Sequence, residues 1–121
     1  MVNKISRYGS IKEYITKDGS EIREMIHPQH QDNKKISVAE ARIKPGMKTE
    51  PHYHKKSEEV YVVMAGKGLL RIEDKRYEIE KGVSIVIMPG QVHGLENTNN
   101  EDLVVMCCCA PAYGHADTIL V

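Results

Sequence analysis

Two histidines separated by a single residue follow a proline near the middle of the chain. The segment reads Pro51-His52-Tyr53-His54. A proline disfavours helix for the residue before it, and in an extended strand residues two apart project from the same face. His52 and His54 are therefore expected to point the same way, as two neighbouring ligands of one metal ion must.

Two further candidate ligands lie beside predicted turns. Glu59 opens the apolar run 59–65, and if residues 55–57 form the turn of a hairpin, Glu59 folds back beside the two imidazoles. A carboxylate at the mouth of an apolar strand is costly unless it is neutralised, and a divalent ion would neutralise it. His93 follows the turn Pro89-Gly90.

Taken singly, a loop histidine is usually solvated, and a glutamate at the start of a strand is usually an exposed charge. Together, three histidines and one carboxylate presented from strands form a nitrogen-rich set with one hard oxygen, which suits a first-row transition metal. An octahedral site with four protein ligands leaves two positions open. Such a site suits a substrate with two neighbouring oxygens, or a substrate together with dioxygen.

The elements that carry these residues are predicted to be strands. Glycines and prolines cut the middle of the chain into pieces of strand length, and residues 70–73 and 77–80 alternate between apolar and charged, as in a hairpin with one dry face. Three other segments are apolar at nearly every position, which is typical of strands covered on both faces: residues 60–65, 84–88 and 103–109. The sequence therefore predicts an all-β protein.

The N-terminal third has weaker patterns. One helical turn is expected at residues 10–15, strands at 22–26 and 36–43, and a polar loop at 27–35. A small domain has few elements to cover the outer faces of its strands. We therefore expect either residues 1–35 or a second copy of the chain to cover them, and a homodimer is favoured.

Length and charge exclude several classes of protein. With 121 residues the chain is expected to form a single domain, residues 1–121. Seventeen basic residues balance seventeen acidic ones, so the chain lacks the positive charge that nucleic acids or anionic membranes attract. Neither a membrane span nor a secretion signal in residues 1–7 is recognisable, which predicts a cytoplasmic protein.

Three contiguous cysteines, Cys107, Cys108 and Cys109, lie in one of the apolar segments. An odd, unspaced count does not build a disulfide framework, and zinc sites use spaced pairs of cysteines. We interpret these residues as small apolar side chains of a buried strand, with a pocket-lining or redox role as the alternative. His115, in the C-terminal tail, is expected to be structural.

The spacing of these residues resembles the two motifs of the cupin family. Residues 46–66 match the first motif, G-x5-H-x-H-x(3,4)-E-x6-G, at every fixed position. Residues 82–97 match the second, G-x5-P-x-G-x2-H-x3-N, except that Met88 stands where the pattern has proline. The resemblance covers roughly residues 40–110, and the departure at Met88 touches no candidate ligand.

The resemblance implies a small double-stranded β-barrel, or jelly roll, with a metal ion held inside one end. It also implies that His52, His54, Glu59 and His93 are the ligands. Glu58 is a competing carboxylate because the family allows three or four residues before the glutamate. We choose Glu59 because its distance to Gly66 also fits the motif.

A cupin fold alone does not fix the reaction, because the family includes isomerases, decarboxylases, lyases, dioxygenases and non-catalytic binding domains. We favour a metal-dependent enzyme acting on a sugar or organic acid by Lewis-acid chemistry, with one Zn, Mn, Ni or Fe ion per chain; iron would instead favour dioxygenase chemistry. A sensor or accessory module that binds a small molecule or metal is the alternative. Strand parity makes Tyr61 and Glu50 the candidate catalytic residues, because each shares a face with a ligand.

Overall fold

The computed structural model describes residues 4–121. Residues 1–3, part of the segment 1–7 in which no secretion signal is recognisable, lie outside the described residues. The predicted all-β class is confirmed. Helical structure in the described residues is limited to one short helix, α1 (Pro28–Gln31), and two 3₁₀ turns. The strands are β1 (Tyr14–Ile15), β2 (Glu21–Ile26), β3 (Ser37–Ile43), β4 (His52–His54), β5 (Glu58–Ala65), β6 (Lys67–Ile72), β7 (Lys75–Glu80), β8 (Ser84–Ile87), β9 (His93–Glu96), β10 (Leu103–Ala110) and β11 (Thr118–Leu120).

The strands form two antiparallel sheets of a jelly roll. One sheet has six strands in the order β1-β2-β3-β10-β5-β8, and the other has five in the order β11-β4-β9-β6-β7. Apolar side chains from both sheets form one core, which includes Val63, Leu70, Leu95, Leu103 and Val105. Burial of these side chains drives the two sheets together. The candidate ligands lie on the inner faces of the sheets, so the same packing places them in the interior.

The predicted hairpin at residues 70–80 is confirmed. β6 pairs with β7 from Lys67 opposite Glu80 to Ile72 opposite Lys75. The turn is Glu73-Asp74, shorter than the polar link in the sequence, and Glu73 has a positive φ of 56°. Leu70 and Ile79 form the buried face, whereas Tyr77 is exposed.

The hairpin predicted around residues 55–57 is wrong. β4 belongs to the five-stranded sheet and β5 to the six-stranded sheet, so residues 55–57 cross from one sheet to the other. Glu59 therefore approaches His54 across the interior rather than from a paired neighbouring strand. Local periodicity could not show this, because a hairpin and a crossover place the same alternation on each strand.

The N-terminal third joins the six-stranded sheet instead of covering it. The strands expected at 22–26 and 36–43 are confirmed as β2 and β3, and β1 and β2 extend the edge of the sheet. The helical turn expected at 10–15 is wrong, because the turn lies at Tyr8–Ser10 and β1 follows. The loop expected at 27–35 contains α1, which has Pro28 at its first position and is capped by the His27 side chain.

Apart from Val104, the apolar strands are buried on one face only, which corrects the expectation of cover on both. In β5 the residues Glu59, Tyr61 and Val63 point inward and are buried, whereas Val60 and Val62 are half-buried. We call the opposite side of the six-stranded sheet the outer face: Val60, Val62, Met64, Val86, Met106 and Cys108. Val86 is 57% exposed and Met64 is 49% exposed. The homodimer stays a prediction.

The glycine that closes the first motif has a steric reason to be glycine. Gly66 has φ of 83°, and a Cβ atom built there would lie 2.4 Å from the carbonyl oxygen of Asp102. Any side chain would push apart the ends of β5 and β10, the strand pair that carries Glu59.

In the described part of the chain, no helix has the length and apolar character needed to cross a bilayer.

Candidate metal centre

Two neighbouring strands of the five-stranded sheet, β4 and β9, bring three histidines together. His52 and His54 lie on β4, and His93 lies directly opposite His52 at the start of β9. One ring nitrogen from each histidine lies within 4.8 Å of the others, and all three side chains are buried. The same-face prediction for His52 and His54 therefore agrees with the structure, and β9 adds His93 to the cluster.

Backbone carbonyls fix the orientation of two of these rings. The Nδ1 atom of His52 lies 2.8 Å from the carbonyl oxygen of Glu50, and Nδ1 of His93 lies 2.9 Å from that of Gln91. A carbonyl oxygen can only accept, so each Nδ1 must carry the proton. In the neutral ring, the lone pair is then on Nε2, which faces the interior.

Thr118 orients the third ring. Its hydroxyl donates to the carbonyl oxygen of Gly114 at 3.0 Å, so it accepts from Nδ1 of His54, also at 3.0 Å. The Nε2 atom of neutral His54 therefore also presents a lone pair to the interior. Thr118 lies on β11, which pairs with β4 and places Thr118 opposite His54. The motif at residues 46–66 gave no signal for this contact, because Thr118 lies far along the chain.

Glu59 faces the histidines from the six-stranded sheet. Its Oε1 atom lies 3.2 Å from Nε2 of His54 and 3.4 Å from Nε2 of His93. Burial alone would raise the pKa of Glu59, but the nearby His54 and His93 rings lower it to about 2. This lowering requires positive charge on the imidazole side of the carboxylate, from protons on the rings or from a cation held between them.

The contacts around Glu59 test whether a metal ion fits. A carboxylate oxygen facing two imidazole lone pairs is repulsive unless a proton or a metal cation lies between them. Nε2 of His93 is moreover a buried nitrogen without a hydrogen-bond partner in the described residues. Two ligands at right angles, each 2.0–2.2 Å from a metal, lie about 3 Å apart, close to the observed separations. The residues present fit a divalent cation.

Cys109 holds the other oxygen of Glu59. Its Sγ atom lies 3.2 Å from Oε2, and burial, with Glu59 as the next cause, raises the pKa of this thiol. The thiol therefore keeps its proton and donates to Oε2, which leaves Oε1 turned towards the histidines. The interpretation of the three cysteines as apolar filling thus needs a correction at Cys109, whereas Cys107 faces the core and Cys108 the outer face.

Of the two candidate catalytic residues, the structure brings only Tyr61 to the site. Tyr61 is 4% exposed, lines the cavity and lies with its ring centroid 5.9 Å from that of His93. Burial raises its pKa well above 10, so the phenol is protonated at neutral pH and is no base.

The Glu50 side chain is exposed and does not line the cavity, which corrects the expectation from strand parity. β4 begins only at His52, so the alternation between faces does not extend back to Glu50. Only the main chain of Glu50 serves the site, through its carbonyl contact with His52. His115 is also exposed and lies outside the cavity.

Sequence reasoning missed Asp18. This residue lies in the turn between β1 and β2, and its Oδ2 atom is 3.8 Å from Nε2 of His52. The segment Asp18-Gly19 is a turn signature, which indicated local structure and gave no reason to place the carboxylate in the interior.

The cavity beside the histidines is small. Its lining includes Asp18, Thr49, Tyr61, Cys109 and Tyr113, and its volume is about 40 Å³. A single water molecule needs roughly 10–15 Å³ on this scale, so there is space for about three waters or for a few heavy atoms of a ligand.

The comparison with protein families decides the classification. The family model described as Cupin domain matches residues 39–109, which contain all four candidate ligands. The chain belongs to the cupin family. This agrees with the motifs at residues 46–66 and 82–97.

Two relatives of this cupin match two thirds or more of its length. An uncharacterised protein of Methanocaldococcus jannaschii is 44% identical over 113 residues, which cover 93% of this chain and 90% of the relative. An oxalate-binding protein of Thermotoga maritima is 28% identical over 83 residues, 69% of each chain.

Among solved structures, a predicted oxalate decarboxylase of Thermotoga maritima superposes with a TM-score of 0.78 at 24% identity, covering 89% of this chain and 99% of the other. At this identity the likeness shows the jelly-roll fold.

Proposed function

We propose that this cupin is a metal-dependent enzyme that acts on a small oxygenated molecule. One divalent transition metal, Zn, Mn, Ni or Fe, would be held by His52, His54, Glu59 and His93. The observation that carries the proposal is the buried Nε2 of His93, which has no hydrogen-bond partner in the described residues and lies 3.4 Å from Oε1 of Glu59. A fold that only needed a core would place an apolar side chain there.

The chain's own residues prepare the site for a cation and an oxygen-rich ligand. Glu59 supplies the negative charge, and the hydrogen bonds at the three Nδ1 atoms keep the Nε2 lone pairs directed inward. When bound, the ion supplies Lewis-acid stabilisation of negative charge on a substrate oxygen. Tyr61 lines the same cavity with a protonated phenol that can donate to such an oxygen.

The reaction class expected from this arrangement is isomerisation, lyase or decarboxylation chemistry on a sugar or an organic acid. An iron ion would favour a dioxygenase reaction instead. The name of the Thermotoga oxalate-binding protein supports a small, oxygen-rich ligand for this chain.

The same name favours a second candidate, a non-catalytic module that binds a small molecule or metal. The two candidate functions differ in whether the bound molecule is converted to a product. An enzyme loses turnover when a ligand is replaced while the fold persists, whereas a binding module shows saturable affinity without a product.

Elemental analysis of the untagged protein tests the metal directly. We expect about one equivalent of a first-row metal per chain, lost in the double variant His52→Ala/His54→Ala, with near-unchanged far-UV circular dichroism. The double variant His27→Ala/His30→Ala, which removes two histidines outside the cavity lining, is the matched control and should retain the metal. If the wild-type protein binds no metal even after reconstitution with Mn, Ni, Zn or Fe(II), the proposal is wrong.

A further inference from the structure

Beyond the metal ligands, the charged groups of the cavity are acidic. Asp18 and Glu24 line it together with Glu59, and among residues 4–121 no lysine or arginine does. The neighbouring Lys17 is turned away, because its Nζ atom donates to the carbonyl oxygen of Thr118 at 2.8 Å. A substrate in this cavity meets carboxylates and no basic side chain of the Lys or Arg type.

Asp18 is held in place by neutral donors. Its Oδ1 atom accepts from the Thr16 hydroxyl at 2.6 Å, from the Ser20 hydroxyl at 2.6 Å and from the Ser20 amide at 2.9 Å. These bonds fix the side chain without neutralising its charge. Oδ2 makes no hydrogen bond within the described residues and lies beside Nε2 of His52, so it is available to accept a hydrogen bond from a ligand.

Glu24 is likewise held by a neutral donor. Its Oε2 atom accepts from the Tyr14 hydroxyl at 3.1 Å, and Oε1 lies 3.9 Å from Nδ1 of His27. That Nδ1 accepts the amide N–H of Gln29 at 3.1 Å, so it carries no proton for Glu24. The other nitrogen of His27 donates to the carbonyl oxygen of Tyr113.

We propose that the site takes a small neutral molecule with adjacent hydroxyl or carbonyl oxygens and rejects small dicarboxylates, with Asp18 as the specificity-determining residue. This rests on the proposed function and narrows its substrates from sugars and organic acids to the neutral, sugar-like class. Three carboxylates outweigh one divalent ion, so a dianion would add like charge to a cavity that is already negative. A hydroxyl group, in contrast, donates to Oδ2 of Asp18. The volume of about 40 Å³ admits a few heavy atoms, which corresponds to the reacting end of such a compound.

Calorimetric titration of the metal-loaded, full-length protein with oxalate and with dihydroxyacetone tests this inference. The variants are Asp18→Asn, which keeps the oxygen that accepts from Thr16 and Ser20, and Glu78→Gln, which removes one exposed carboxylate of β7 outside the cavity. We expect Asp18→Asn to bind oxalate at least about tenfold more tightly than the wild type and dihydroxyacetone more weakly. Glu78→Gln should match the wild type for both compounds.

Glu24→Gln is a second variant that neutralises a cavity carboxylate and should shift oxalate affinity in the same direction. The inference is overturned if the wild type binds oxalate more tightly than dihydroxyacetone, or if oxalate affinity is the same in the wild type and in both cavity variants. Metal content, measured on the same samples, separates the two proposals. A protein that holds its metal and prefers oxalate overturns the inference alone, whereas a protein without metal overturns the proposed function.

Discussion

The two sheets build opposite walls of the cavity by different means. The five-stranded sheet contributes three imidazoles, and in each one Nδ1 has a hydrogen-bond acceptor. The six-stranded sheet contributes the carboxylate of Glu59, and the acidic side chains of Asp18 and Glu24 come from its edge strands and their turn. The hydrogen bonds at Nδ1 orient the three rings but leave Nε2 of His93 without a partner in the described residues, and a buried carboxylate needs a counter-charge. The protein therefore orients the histidine wall by itself, whereas both walls require a cation between them.

The largest effect should follow the removal of His93. We expect His93→Ala to lower metal affinity by more than about 100-fold, because its Nε2 has no other partner in the described residues. Free metal at 100 times the dissociation constant stabilises a folded protein by about 2.7 kcal/mol, and the variant should lose the matching rise in melting temperature. Thermal denaturation with and without added metal measures both effects. His115→Ala, at an exposed histidine, is the control, and a metal-dependent rise that survives in His93→Ala would contradict the assignment.

The acidic wall is tested by Glu59→Gln beside Glu58→Gln. Glu59 is 5% exposed and faces the histidines, whereas Glu58 is exposed on the same strand. Loss of the charged ligand should lower metal affinity by about 10- to 100-fold in Glu59→Gln, and Glu58→Gln should bind as the wild type does. Competition with a chelator of known affinity measures the difference. The opposite ranking would assign the ligand to Glu58.

A smaller effect is expected at Cys109, which supports the acidic wall through Oε2 of Glu59. Because a thiol is a weak donor, Cys109→Ala should lower metal affinity by about threefold to tenfold. Its signature should be a changed Mn(II) electron paramagnetic resonance spectrum, since both oxygens of Glu59 become available. Cys107→Ala removes a buried thiol of the same strand that does not contact Glu59 and should leave the spectrum unchanged. Identical spectra in all three proteins would limit Cys109 to a packing role.

The outer face of the six-stranded sheet should affect assembly and leave the metal site unchanged. We expect the wild type to be a homodimer, at twice the 13.7 kDa chain mass, and Val62→Lys to be a monomer, because a lysine is costly in a dry interface. Light scattering after size-exclusion chromatography measures the mass. Tyr77→Lys, at an exposed residue of the other sheet, is the control. A monomeric wild type, or a dimeric Val62→Lys, would contradict this prediction.

The sequence predicted the histidine wall better than the acidic wall. His52, His54 and His93 were found because their order is local, with parity on one strand and a Pro-Gly turn before another. The role of Asp18 and that of Thr118 depend on β1, β2 and β11, which reach the site only through long-range pairing. Glu59 was correctly predicted to be a neighbour of His54, but the predicted reason was a hairpin. The structure has a crossover between the two sheets instead, and the flanking strands show the same alternation of residues in both cases. Cys109 was taken for apolar filling because a thiol has no polarity signal in a run of apolar residues.

The position of β10 between β3 and β5 has a consequence for how the protein is made. β10 pairs with both neighbours along nearly its whole length, so β3 and β5 stay unjoined until residues 103–110 have been synthesised. Thr118, which orients His54, follows later still. Loop-closure entropy makes such non-local pairings slow. A nascent chain that already carries His52, His54 and His93 therefore has no metal site, and uptake of the ion is expected only after translation has passed residue 118.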